Sequence, residues 1–399
     1  MREPLLPIDA YTLDVGEDNR WQGHPTQPHG WFSVTHIAYR LAMLPPERRA
    51  WFLDTLPHEV LPAGPARPTH IDHDGPAPTH PMAIAAERFR LVAEDMERDG
   101  CFEMAYTTVS SAARIASRHD AGVTLSSSNH LARIARQLGE TQVAETLYRS
   151  VEEEARRRGF PSIAGYALAG LGNLAIMRGN RPAQLACYEE ALALSPAGTA
   201  LEGTARWGLM NHALAMGSLP DALLHGWRAY DLLEGDETRA GILSNLASVA
   251  HQGGFAEAAV GGYMGALQLA APARLWLSIA AAAGEALGAA TRTDLLVDLE
   301  VEGRRRASAA GPFETAQWLL GLAQGWHRAG RESSAHRFAI ESRDLAQLHE
   351  FHEVVYRAEA LLAPAPETTP SRVDPVRPVL TDLPFSTRDG LSRLIEFAG

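Results

Sequence analysis

From Met82 to Leu362 apolar residues recur every three or four positions, the spacing of a helix with one buried face. Small breaks interrupt this pattern at regular intervals. Gly100 is followed five residues on by Ala105, Gly139 by Ala144, Gly217 by Ala222, Gly253 by Ala258 and Gly330 by Ala335. A glycine that ends one helix in the left-handed conformation, with an alanine where the next helix crosses it, predicts an antiparallel helical hairpin. Seven such units are expected over 82–120, 121–159, 160–197, 198–235, 236–272, 273–310 and 311–348, and a further helix over 350–363. The sixth unit shows no clear glycine–alanine step. Upstream, residues 1–30 read as an irregular arm, and two short helices are expected at Trp31–Leu44 and Pro46–Leu56, a cap over the first hydrophobic face. Residues 61–81 are a Pro-rich linker. A second follows Leu362 and leads to a short helix that Ser386 or Thr387 would cap, with Leu391, Leu394 and Ile395 on one face. The resulting division is an N-terminal arm, cap and Pro/His-rich linker over 1–81, a repeat region over 82–363, and a Pro-rich tail over 364–399.

The clearest hairpin is Leu168–Pro196. Leu171-Gly172 and Ala175 lie on its first helix, Gly179-Asn180 at the turn, Tyr188 and Ala191 on the second, and Pro196 at the close. This pattern resembles the tetratricopeptide repeat (TPR), with Ala175 in place of the family's first-helix aromatic and Gln184 in place of an alanine. Leu131-Ala132, Leu209 and Leu322-Ala323 occupy the Leu-Gly region elsewhere, and Trp326 supplies an aromatic where the family has one. The repeat of about 38–40 residues exceeds the family's usual ~34, a long-repeat variety. The resemblance implies an all-α fold: a right-handed α-α superhelix, or TPR-like solenoid, of about seven hairpins with a helical N-terminal cap and a Pro-rich C-terminal tail.

Composition narrows the chemistry. Hydrophobic residues make up 46% and aromatics only 7%, so the core is built from alanine and leucine, as short-range helix packing requires. All 36 basic residues are arginine. Schiff-base catalysis and a GxxxxGK phosphate loop are thereby excluded. The net charge of −12 disfavours nucleic acid and anionic membranes. No run reaches the ~18 apolar residues of a membrane span. No secretory signal is recognised, and Cys101 and Cys187 read as buried free thiols. These features place the chain in the cytoplasm. Arg156–Arg158 and Arg304–Arg306 read as cations complementing helix C-termini.

In the TPR family the first helices line a concave binding face, and a position just after the Leu-Gly pair carries an asparagine that bonds a bound peptide. The resemblance transfers that role to Asn173 and Asn211. Tyr166, Trp207, Asn129, Arg133, Asn245, Ser248, Gln324 and His327 fall at equivalent or neighbouring positions. An amide offers donors and an acceptor together, which suits an extended chain with unpaired backbone groups. The reading is a non-catalytic protein- or peptide-binding scaffold, adaptor or regulatory sensor with no cofactor, of which a bacterial peptide-sensing regulator is one version. End-to-end self-association is compatible with it.

Seven of the 16 histidines fall within the first 80 residues. His70-Ile71-Asp72-His73-Asp74 partly resembles the HxHxDH signature of metallo-β-lactamase-like hydrolases. Pro68 stands where the first histidine belongs, and the strands of that fold are absent from the pattern, so a solvated loop without metal is expected. The rival reading is an all-helical enzyme or metal-binding protein using this loop, with Glu87 and Glu94 as acid/base groups.

Overall fold

A computed structural model describes residues 28–43, 78–98, 100–363 and 383–398. Among these residues the fold is all-α, with consecutive helices packed on each other and no strand. The chain forms two compact units, Met1–Leu201 and Glu202–Gly399.

The first unit opens with α1 (Pro28–Met43), which starts three residues before the expected Trp31, with Pro28 at its head. It buries Val34, Ile37 and Leu41 in a core shared with α2 (Pro81–Arg98) and α3 (Phe102–Ala116). Two further hairpins follow, α4 (Ala121–Gln137) with α5 (Thr141–Arg158), then α6 (Pro161–Met177) with α7 (Arg181–Leu194). The expected helix Pro46–Leu56 and the His70–Asp74 loop lie outside the described residues.

α8 (Ala200–Ala215) begins at the division between the units. The second unit continues with α9 (Leu219–Leu232), α10 (Asp236–Gln252), α11 (Ala256–Leu269), α12 (Ala273–Ala289), α13 (Thr293–Ala310), α14 (Pro312–Arg328), α15 (Glu332–Leu348) and α16 (His352–Leu362). The last helix is α17 (Phe385–Ile395), extended by a 3-10 turn over Glu396–Ala398. Consecutive helices within each unit pack as helical hairpins.

Each hairpin turns on one left-handed residue. At Gly139 (φ 83°) the Gly139 N–H bonds the Arg136 carbonyl and the Glu140 N–H bonds that of Ala135, the paired bonds of a Schellman cap. The same bonding recurs at Gly100, Gly179, Gly217, Gly254 and Gly330. Two sequence expectations need correction here. In the fifth hairpin the turn residue is Gly254, while Gly253 is helical, so the step runs from Gly254 to the buried Ala259. The sixth hairpin does have a turn: Thr291 adopts φ 56° and makes the same two bonds, with the buried Leu296 at the crossing. The signal was hidden because a β-branched residue fills a position that favours glycine.

The arginine runs also differ from expectation. Arg156–Arg158 do close α5, where they pair with Glu152, Glu154 and Glu190. Arg304–Arg306 sit well inside α13 and are held by side chains: Arg304 by Glu341 and the Trp318 ring, Arg306 by Glu302 at 2.7 Å and the Trp276 ring. Ser386 and Thr387 lie within α17 rather than capping it, since Pro384 takes the cap position.

Candidate functional site

Counting back six residues from each hairpin turn gives Glu94, Arg133, Asn173, Asn211, Ser248, Glu285 and Gln324. Every one is polar and half-buried. The residue before each is Ala93, Ala132, Gly172, Met210, Ala247, Gly284 and Ala323, all buried and all but one small. A polar row at a fixed register beside a small packing position is what one helix face produces when it is repeated.

In the first unit the row rests on buried groups. Arg90 is fully buried and clamped by Glu87 at 2.6 Å and Glu94 at 2.8 Å. The two carboxylates that the enzyme reading would use are thus engaged with one guanidinium. Glu97 accepts from Arg133 and bonds His130 at 2.8 Å. Burial alone would raise the Glu97 carboxyl above its ordinary range, but Arg133 and His130 outweigh it and hold the group ionised. Burial, assisted by Arg133, pushes the His130 imidazole below its ordinary value and keeps it neutral. Asn129 lies on the same helix, half-buried, and its Oδ1 has no partner within the protein.

Asn173 is positioned by a tyrosine. The Tyr188 hydroxyl on α7 donates to Asn173 Oδ1 at 2.9 Å, passing beside Gly172, where a Cβ would stand 2.9 Å from the ring. Burial raises the Tyr188 pKa, so the hydroxyl keeps its proton. The bond fixes the Asn173 amide with its carbonyl toward Tyr188. Tyr166 is half-buried on the same helix.

In the second unit Asn245 Nδ2 donates to Asn211 Oδ1 at 2.9 Å, joining α8 to α10. Asn245 stands nine residues before its turn, so it is not the repeat equivalent of Asn211; Ser248 is. Ser248 meets the Tyr263 hydroxyl at 2.8 Å, and burial pushes that hydroxyl's pKa up to about 12. Trp207 is half-buried and lays its ring over Gly241, 3.1 Å from where a Cβ would stand. Glu285 is bound by Arg328 at 2.6 Å. Gln324 is half-buried, and the exposed His327 meets Glu332 at 3.2 Å.

The structure therefore brings together Asn211 with Asn245, and Arg133 with His130 and Glu97. Sequence reasoning missed Glu94 and Glu285 as members of the row, as well as the tyrosines behind it. A count from each turn would have found the first. Tyr148, Tyr188 and Tyr263, each nine residues after a turn, signal the second. No group of His, Cys, Asp and Glu able to hold a metal ion occurs among the described residues. None of the described helices is long and apolar enough to cross a membrane.

No family model and no curated protein matches this chain. Among solved structures it is similar to the TPR2AB-domain:pHSP90 complex of yeast Sti1. That match has 15% sequence identity and a TM-score of 0.27, covering 69% of this chain and 98% of the Sti1 chain.

Proposed function

We propose that the chain is a non-catalytic scaffold, adaptor or regulatory sensor that binds an extended protein or peptide segment through polar side chains of its first helices. The Asn211–Asn245 bond carries this reading. It uses one carbonyl and one N–H, leaving the Asn211 amide donors and the Asn245 carbonyl to face a ligand. One donor beside one acceptor matches a backbone peptide unit. Asn173, whose carbonyl Tyr188 occupies, suits an acceptor such as a peptide carbonyl or a carboxylate. The acidity of the chain favours protein over nucleic acid as partner. Cys101 and Cys187 are half-buried rather than buried as expected, and no disulfide joins them, which accords with the cytoplasm.

A random peptide library selected against the full-length chain supplies the test. Peptides that bind the wild type are expected to lose at least about tenfold in affinity to Asn211→Ala/Asn245→Ala, since about 1–3 kcal/mol attends each unmade hydrogen bond. Tyr188→Phe, which frees the Asn173 amide to turn, is expected to weaken peptides that contact the first unit by a smaller factor. Peptides that bind wild type and Asn variant equally would move the interface off this row.

A further inference from the structure

The second helices of the second unit carry a separate recognition surface. α11 contains three buried glycines, Gly261, Gly262 and Gly265. Each costs a helix interior about 1 kcal/mol relative to alanine, so close approach of another group must justify them. That group is α17. A Cβ at Gly261 would stand 2.1 Å from the Leu394 carbonyl oxygen, and one at Gly265 would stand 2.7 Å from the Phe397 ring. Leu391 and Leu394 are completely buried there.

The contacts on α9 are specific as well as close. The Trp227 indole N–H donates to the Gly390 carbonyl at 2.9 Å. A Cβ at Gly390 would stand 3.1 Å from that indole nitrogen, so a larger residue is resisted at this position. The Arg393 guanidinium lies over the Trp227 ring, 3.8 Å from its centroid, and bonds Asp231 at 3.0 Å. Stacking and a charged bond together select arginine at that place. The surface thus reads a glycine, a backbone carbonyl, two leucines and an arginine, all within Gly390–Leu394. Residues 363–384 separate this helix from α16 in the sequence.

We propose that the α9–α11 face is a helix-docking site distinct from the polar row, and that it accepts a partner helix carrying Gly-Leu-x-Arg-Leu. The chain's own C-terminal helix occupies the site in cis, so a partner helix enters by displacing it. A segment on a short linker competes at an effective concentration on the order of millimolar, which makes access conditional on the tail being released or outcompeted.

The probe is a fluorescein-labelled peptide with the sequence of residues 383–399, titrated into full-length protein and followed by anisotropy. A Leu391→Ser/Leu394→Ser variant, with an undocked tail and an intact bed, is expected to bind the probe at least about tenfold more tightly than wild type. Adding Asp231→Arg is expected to weaken the probe, and a probe carrying Arg393→Asp to recover it. Equal binding of the probe to wild type and tail variant, with circular dichroism unchanged, overturns the proposal. So does a probe indifferent to the charge exchange. If the double-serine variant unfolds, Arg393→Asp in the full-length chain keeps both leucines and replaces it, read by the same outcomes.

Discussion

Glycine does opposite work in α6 and in the α12–α14 pair. In the first unit Gly170 and Gly172 make room for side chains: a Cβ at Gly170 would fall 2.3 Å from the Tyr148 ring, and one at Gly172 would meet Tyr188. In the α12–α14 pair of the second unit glycine makes room for backbone. A Cβ at Gly288 would lie 2.1 Å from the Gly325 carbonyl oxygen, at Gly284 2.2 Å from that of Gly321, and at Gly321 2.2 Å from that of Ala281. Two first helices thereby touch main chain to main chain, where Cα–H···O contacts become available. A ring can turn or slide when its pocket changes, whereas a helix backbone moves only as a whole. The same residue type therefore marks an adaptable joint at α6 and a rigid one between α12 and α14.

The sharpest test of that contrast is Gly288→Val. Its branched side chain has only carbonyl groups to displace, and a loss of about 3 kcal/mol or more is expected in chemical denaturation of the second unit. Gly170→Ala should cost less, about 1–3 kcal/mol, and Tyr148→Leu should restore part of it. A double-mutant cycle measures that coupling, and a cycle of zero would remove the tyrosine from the account.

Both units respond to acid through buried or half-buried histidines. His130 is neutral in the fold because its pKa is depressed below the ordinary value near 6.5. The unfolded chain takes up that proton first as pH falls, so stability is complete above about pH 6.5 and declines below it, by about 1.4 kcal/mol per pH unit per proton. His225 and His251 shift the same way. The decisive reading is the flatter melting-temperature profile expected of His130→Gln between pH 7 and pH 5; an identical slope would place the acid sensitivity elsewhere. The smallest effect expected is a gain. Thr291→Gly removes the strain of a β-branched residue at positive φ and should stabilise the sixth hairpin by about 1 kcal/mol, seen as a raised melting midpoint.

The fold was largely legible because the same device, a left-handed turn followed by a small crossing residue, repeats through the chain. It failed where the residue and the geometry part company. Thr291 occupies a glycine conformation, and Gln184 is fully buried at a crossing built for alanine, its Oε1 accepting from Arg181 at 3.0 Å. The candidate site was less legible. Asn173 and Asn211 fall out of the motif, but the partner that orients each one comes from another helix, Tyr188 in one case and Asn245 in the other. Spacing along one helix carries no trace of such pairings. Gly284-x-x-x-Gly288 and Gly321-x-x-x-Gly325 were present in the sequence as a readable signal of close helices, though it takes the fold to show that they face each other.

The late position of α17 sets an order of events during synthesis. Its bond to Trp227 spans 163 residues and its bond to Asp231 spans 162, the longest sequence separations described in the second unit. Contacts of that range close slowly and only after the intervening chain exists. As the ribosome elongates the chain, α9 and α11 emerge long before the helix that covers them. A nascent chain therefore carries the bare glycines of α11 until residues 385–398 have emerged, and a product truncated before residue 385 never covers them.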